Sequence, residues 1–218
     1  MPVYIFFIAA AFIGSLFIYG QTGLASYLKL FPPFLGTSVL VELLALYLAA
    51  NGKNNYLLYS FFTTIEFSFY LYIISCIVTS IIVRKIIRYI LIGQILLSLI
   101  NIFFVQTNGF NSLTYSLGCL FIVSFCVYYF LELFRRPKSI KLALEPSFWI
   151  CSGLLFYYCC SFPLFGLITV FFEIPKAMIR SILFIVDVLN ALLYTLFIIA
   201  FVCKIKTRNP VKSLKQSG

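Results

Sequence analysis

Histidine is absent from this chain of 218 residues, and Asp and Glu together number only six. Without imidazole there is no His-ligated zinc, no Ser-His relay and no side chain that titrates near neutrality unperturbed. The seven cysteines include no Cys-x-x-Cys pair to hold a metal instead. Gly-x-Ser-x-Gly is missing, as is any Gly-rich phosphate loop. The chain therefore reads as a non-enzyme without metal or organic cofactor. Charge is scarce as well: 10% of residues are charged, 63% are hydrophobic, and the mean hydropathy is +1.08. A soluble domain carries about a quarter charged residues, which excludes that class.

What the chain has is long apolar runs. Seven can be counted, over about 3–19, 34–50, 56–80, 86–105, 113–134, 148–172 and 178–202. Each approaches the roughly 20 residues with which a helix crosses about 30 Å of hydrocarbon. Helix is required because lipid offers no partner to an unpaired backbone group, and a closed barrel would show shorter strands of alternating polarity. The polar stretches NGKNN (51–55) and QTNGFNS (106–112) mark turns between runs. The expected fold is all-α, a polytopic seven-transmembrane-helix bundle over 1–203, followed by a short basic tail over 204–218.

The net charge of +10 would suit nucleic acid, but its distribution assigns it to a membrane. Lys29, then Arg84, Lys85 and Arg88, then Arg135, Arg136, Lys138 and Lys141, then the tail lysines and arginines all fall on one side of a seven-span chain. The other side holds Lys53, Lys176 and Arg180. Basic residues stay cytoplasmic, which predicts an outside N-terminus, a cytoplasmic C-terminus and a multi-pass protein of the inner (plasma) membrane. Arg84, Lys85, Arg88, Arg135, Arg136, Lys138 and Lys141 become candidates for contact with anionic headgroups or with a separate cytoplasmic signalling protein. The lipid bilayer is thus the first partner, an oligomer is compatible with the sequence, and nucleic acid is not expected. The first run lacks a basic n-region and reads as a retained span rather than a signal peptide. All seven cysteines fall within or beside spans, where free thiols serve as small apolar residues. Pro163 frees the carbonyl of Cys159 and predicts a kink in the sixth helix.

Three of the six acids, Glu42, Glu66 and Asp187, lie inside spans. Counted from the expected helix starts, they and Gln94 sit roughly 12 to 15 Å deep, at one level near the midplane. Tyr59, Thr63, Glu66 and Tyr70 follow steps of three and four and make one stripe; Arg180, Asp187, Asn190 and Tyr194 make a second. A lipid-facing carboxylate costs about 2.5 to 3.5 kcal/mol or more, so both stripes are expected to face the bundle interior. No Lys or Arg lies at that depth. The acids are then protonated within a structural hydrogen-bond layer, or they surround a ligand or cation, or water reaches them. Glu42, Glu66, Gln94, Asp187, Asn190, Tyr59, Thr63, Tyr70 and Tyr194 are the candidate ligand or cation site.

Two fragments, FFTT (61–64) and LFIVDVLNA (183–191), resemble pieces of microbial rhodopsins. In that family an Asp in the seventh helix precedes the retinal-binding Lys by four residues. Asp187 fits the Asp, but the Lys position is Ala191, so the resemblance implies no covalently bound retinal. A wider resemblance runs through NNYLLYSFFTTIEFSFYLYII, RRPKSIKLALEPSFWICSGLLFYY and IRSILFIVDVLNALLYTLFIIAF. These stretches look like a group of small seven-helix integral membrane proteins of Bacteroidota, and the implied shared positions are Tyr59, Glu66, Pro146, Phe148, Trp149, Asn190 and Tyr194. Two functions fit the residues. One is a receptor or sensor that binds a small ligand or lipid inside and signals through a cytoplasmic partner. The other is a proton- or cation-coupled transporter or channel using the same carboxylates, against which stands the lack of any inverted repeat.

Overall fold

The computed structural model describes residues 3–19, 24–105, 111–135, 142–170 and 176–206, with the backbone alone described at 166–170, 176–179 and 204–206. Every regular element among them is helical. The long helices are α1 (Tyr4–Tyr19), α2 (Phe31–Ala50), α3 (Tyr56–Ile77), α4 (Ile81–Ile100), α5 (Ser112–Phe134), α6 (Pro146–Val170) and α7 (Lys176–Lys206). A tighter turn, Ser26–Leu30, leads into α2, whose first turn accepts Pro32 and Pro33 because the amides lost there have no helical partner. A widened turn, Asn101–Val105, extends α4.

Six of these helical stretches are long and apolar enough to cross a membrane; α1, at 16 residues, is shorter. Their outer surfaces are greasy throughout, with Phe104, Phe17, Tyr89, Ile82 and Leu40 each more than 65% exposed. Such a surface is stable only against hydrocarbon. The chain is a multi-pass membrane protein.

α1 packs between α2 and α7, α7 against α6, α6 against α5, and α5 against α3, while α4 lies outside against α3 and α5. The peripheral place of α4 follows from its sequence, since only Ile87, Gln94 and Ser98 are buried along it. α3 closes back on α2 through rings. Phe34 stacks on Phe69 at 3.9 Å and meets Tyr70 edge-on at 5.3 Å. Phe31 touches Phe69, Phe197 and Phe201 at 5.2 to 5.4 Å, tying α2 to both α3 and α7. Lipid is as apolar as these side chains, so close packing rather than exclusion from water holds the helices together.

Helix limits differ from the sequence expectation at the start of α2 and, with most consequence for the basic residues, between α3 and α4. α3 stops at Ile77, and α4 begins at Ile81. The cause is Glu132 of α5, whose carboxylate accepts from the Thr79 amide at 3.0 Å, the Ser80 amide at 3.2 Å and the Thr79 hydroxyl. Ser80 then caps α4 by accepting from the Val83 amide. Arg84, Lys85 and Arg88 consequently stand on the first turns of α4 rather than in a loop. Arg84 donates to the Val78 carbonyl at 2.9 Å, while Lys85 and Arg88 are exposed. Arg135 caps α5 and is exposed; Arg136, Lys138 and Lys141 lie outside the described residues. α6 continues past Pro163 as one helix, and the cysteines form no disulfide among the described residues.

α5 meets the Phe67 ring of α3 at Gly118, where an added Cβ would stand 2.8 Å from that ring. Gly118→Ala is expected to cost about 1 to 3 kcal/mol through overpacking. A lowered unfolding midpoint in detergent, read by circular dichroism, checks this; Gly93→Ala, with nothing within 4 Å of its new Cβ, should leave the midpoint in place.

Candidate interior polar site

The ends of the bundle are named here for the chain: the amino end carries the starts of α1, α3, α5 and α7, and the carboxyl end carries their finishes. Along α3, Phe61, Ile65 and Tyr72 are exposed at 37, 53 and 42% and mark the outward face. Tyr59, Thr63, Glu66 and Tyr70 lie on the opposite face by helical spacing. Tyr59, Thr63 and Glu66 are nevertheless only half-buried, whereas Tyr70 is 0% exposed. Accessible surface on an inward face marks a gap in the packing. That gap follows the stripe from Tyr59 to Glu66 and stops at Tyr70.

Two polar clusters occupy it at different depths. The outer one centres on Glu42 of α2. Tyr4 of α1 donates to its Oε2 at 2.7 Å, and Tyr59 of α3 donates to the same oxygen at 3.2 Å. Asp187, half-buried on α7, stands within electrostatic range of Glu42 and Tyr4. The inner cluster centres on Glu66, seven residues or about 10 Å further along α3 from Tyr59. The buried hydroxyls of Tyr70 and Tyr158 lie against its carboxyl but outside hydrogen-bond geometry, and neither has another partner. Tyr115, Tyr157 and Tyr194 complete the surroundings, all 8% exposed or less. Their rings interlock: Tyr70 and Tyr158 are 6.0 Å apart, Tyr157 and Tyr158 4.9 Å, and Phe67 lies 5.4 Å from both Tyr115 and Tyr158.

Towards the carboxyl end the space is sealed. Phe31, Leu71, Ile74, Phe197 and Phe201 are each exposed by 1% or less. A charged or polar molecule thus meets acids and phenols from one end and a hydrocarbon plug at the other.

This arrangement differs from the single level expected for Glu42, Glu66, Gln94 and Asp187. α2 is approached by the turn at Ser26, so Glu42 sits in the half of the helix nearer Ala50 and lies with the outer cluster. Gln94 is not in the space at all: its Nε2 donates to the Thr114 carbonyl at 2.8 Å and fastens α4 to α5. Asn190 donates to the Val186 carbonyl of its own helix at 3.0 Å and lies beside Tyr157. Thr63 likewise bonds to the Ser60 carbonyl at 3.1 Å. Tyr194 packs edge-on to Phe197 at 6.0 Å, within range of Glu66. Arg180 is exposed on α7. Sequence reading missed Tyr4, Tyr115, Tyr157 and Tyr158. With fifteen tyrosines in the chain, interfacial anchoring accounts for most; the adjacent pair Tyr157–Tyr158 on a helix otherwise apolar was the available signal.

The two depths can be measured as coupling. Tyr4→Phe and Glu42→Gln together should cost less than the sum of the two single changes, the difference being about 0.5 to 1.5 kcal/mol, because they share a hydrogen bond. Tyr4→Phe with Glu66→Gln should be additive within about 0.5 kcal/mol, since the two side chains share no hydrogen bond. Unfolding midpoints of the four variants in one detergent decide it.

No protein-family model matches the chain, and neither curated proteins nor solved structures match it.

Proposed function

We propose that this protein is a receptor- or sensor-like membrane module: seven spans including α1, the N-terminus outside, the C-terminus cytoplasmic, in the inner membrane of a bacterium. A small ligand or lipid enters the interior site from the outer face and biases the bundle, and a separate cytoplasmic protein reads the change at the basic end. One observation carries the reading. Glu66 sits deep in the bundle, with no cation beside it among the described residues and with two buried phenol hydroxyls against it that lack partners. Unmet polar atoms are costly in a dry interior; the Gln94 Oε1 and the Ser161 hydroxyl are unmet as well, and what sets the two phenols apart is the carboxyl they flank.

The apolar plug beyond Tyr70 supports a dead-end site over a continuous pore. The runner-up reading, a proton- or cation-coupled transporter, draws on the same plug as a gate and on the two acids in series as relay points. Orientation rests on charge: Lys85, Arg88 and Arg135 are exposed at the end where positive-inside insertion puts the cytoplasm.

Three measurements separate these readings. In a cysteine-free background, Asn54→Cys should react with a membrane-impermeant maleimide in intact cells and Lys85→Cys only after permeabilisation; the reverse pattern overturns the orientation. Ligand-dependent thermal stabilisation without ion flux in proteoliposomes is expected of the sensor, whereas flux abolished by neutralising Glu66 or Asp187 would establish the transporter. Cross-linked pull-down should lose its cytoplasmic partner when Arg135, Arg136, Lys138 and Lys141 are replaced by Ala, and unchanged recovery counts against signalling through that loop.

A further inference from the structure

We infer that the start of α4 seats one anionic phospholipid, its phosphate held by Lys85 and Arg88 and an acyl chain laid along the outward face of the helix beside Gly93. The inference is independent of whether the interior acids serve sensing or transport.

Charge comes first. Arg84, Lys85 and Arg88 place three cations within five residues, on the first two turns of α4. This is the positive end of a helix dipole, where basic residues are disfavoured, and Arg84 and Arg88 stand four apart, where like charges repel. The acid at this turn, Glu132, is engaged by the Thr79 and Ser80 amides and the Thr79 hydroxyl, and Ser80 caps the helix. Arg84 is engaged as well, on the Val78 carbonyl at 2.9 Å. Lys85 and Arg88 are exposed and make no hydrogen bond or ion pair among the described residues. The helix start is thus already capped, and the charge left unanswered belongs to these two side chains.

The face below them identifies the anion. Lys85, Tyr89, Ile92 and Leu96 follow steps of four, three and four and form one outward stripe, along which Tyr89, Ile92 and Leu96 are 55 to 73% exposed. Arg88 flanks the stripe on one side and Gly93 on the other. An added Cβ at Gly93 would meet nothing within 4 Å, so the face is notched there. From Lys85 to Leu96 the stripe runs about 16 Å, close to the roughly 15 Å of hydrocarbon in one leaflet. Inorganic phosphate would use only the top of this face, and an acidic protein segment would have to enter hydrocarbon to use the rest. A phospholipid uses both. Its phosphate oxygens accept from the Lys85 ammonium and the Arg88 guanidinium, and its chain packs on Tyr89, Ile92 and Leu96. A zwitterionic headgroup carries its own cation, so two unpaired basic side chains select a net negative one. Because α4 buries only Ile87, Gln94 and Ser98, its outward face is left to lipid.

The test uses the full chain in detergent micelles with equimolar dioleoylphosphatidylglycerol and dioleoylphosphatidylcholine, and counts the first bound lipid by native mass spectrometry. Phosphatidylglycerol should be preferred by about tenfold or more. Lys85→Gln with Arg88→Gln should bring the two lipids to within about twofold of parity. Lys29→Gln with Arg135→Gln removes the same charge from other elements at the same end and should leave the preference within about twofold of its starting value. Gly93→Leu, which fills the notch, should lower occupancy by either lipid about threefold. Melting midpoints without added lipid verify that the variants are folded. Equal binding of the two lipids by the unaltered protein overturns the inference, as does a preference kept by the folded Lys85→Gln, Arg88→Gln variant. An equal loss in the Lys29→Gln, Arg135→Gln control overturns it by showing only diffuse surface charge, and full occupancy in Gly93→Leu removes the acyl seat and overturns it too. Displacement of the lipid by excess inorganic phosphate would make this a free-anion site. A melting shift with poly-L-glutamate that is lost with Lys85 and Arg88, while the two lipids bind alike, would make it a protein-docking surface. Either result overturns the inference.

Discussion

Inside a bilayer no water is at hand to satisfy a polar atom, and the rest of this structure answers to that constraint. Most hydroxyls meet it locally. Thr37, Ser38, Thr64, Ser68, Ser124 and Thr195 each return a hydrogen bond to the carbonyl four residues earlier, which satisfies the side chain without involving a neighbour. Gln94 and Glu132 meet it across helices, the first between α4 and α5, the second by capping the turn into α4. Glu42 meets it with two phenols. The hydroxyls of Tyr70 and Tyr158, like the Gln94 Oε1 and the Ser161 hydroxyl, do not meet it, and the two phenols stand together against Glu66.

The second constraint is that helices in lipid gain little from burying apolar surface, so contact quality decides which of them touch. Aromatic rings make the decision here. Phe31 alone reaches rings on α3 and α7, and Phe67 reaches rings on α5 and α6. Gly118 lets Phe67 come that close, while α4 stays at the rim. The rings that hold the bundle therefore also wall the inner cluster, so packing and site cannot be altered independently.

How much of this was legible beforehand differs by feature. Apolar run length gave the helices, since nothing else satisfies the backbone over such stretches. The face of α3 was legible too, because Tyr59, Thr63, Glu66 and Tyr70 recur at three- and four-residue steps while Phe61, Ile65 and Tyr72 take the other side. Depth was not. A residue's level depends on where its helix truly begins, and that was set by the turn at Ser26 for α2 and by Glu132, 52 positions beyond Ser80, for α4. Gln94 could not be separated from the acids for the same reason: its partner is a backbone carbonyl, which no residue type advertises. Tyr157 and Tyr158 were hidden by abundance, being two among fifteen of their kind.

The bonding of α3 has one more implication. Among the described residues its only interhelical side-chain hydrogen bond is Tyr59 to Glu42, near its start, and the turn just past its end is anchored by Glu132. Between these two fixings it is held by packing, of the rings Phe67 and Tyr70 and of Leu71, Ile73 and Ile74. α3 is thus pinned by directional bonds at its two ends and seated by shape between them, where Phe67 fits against Gly118.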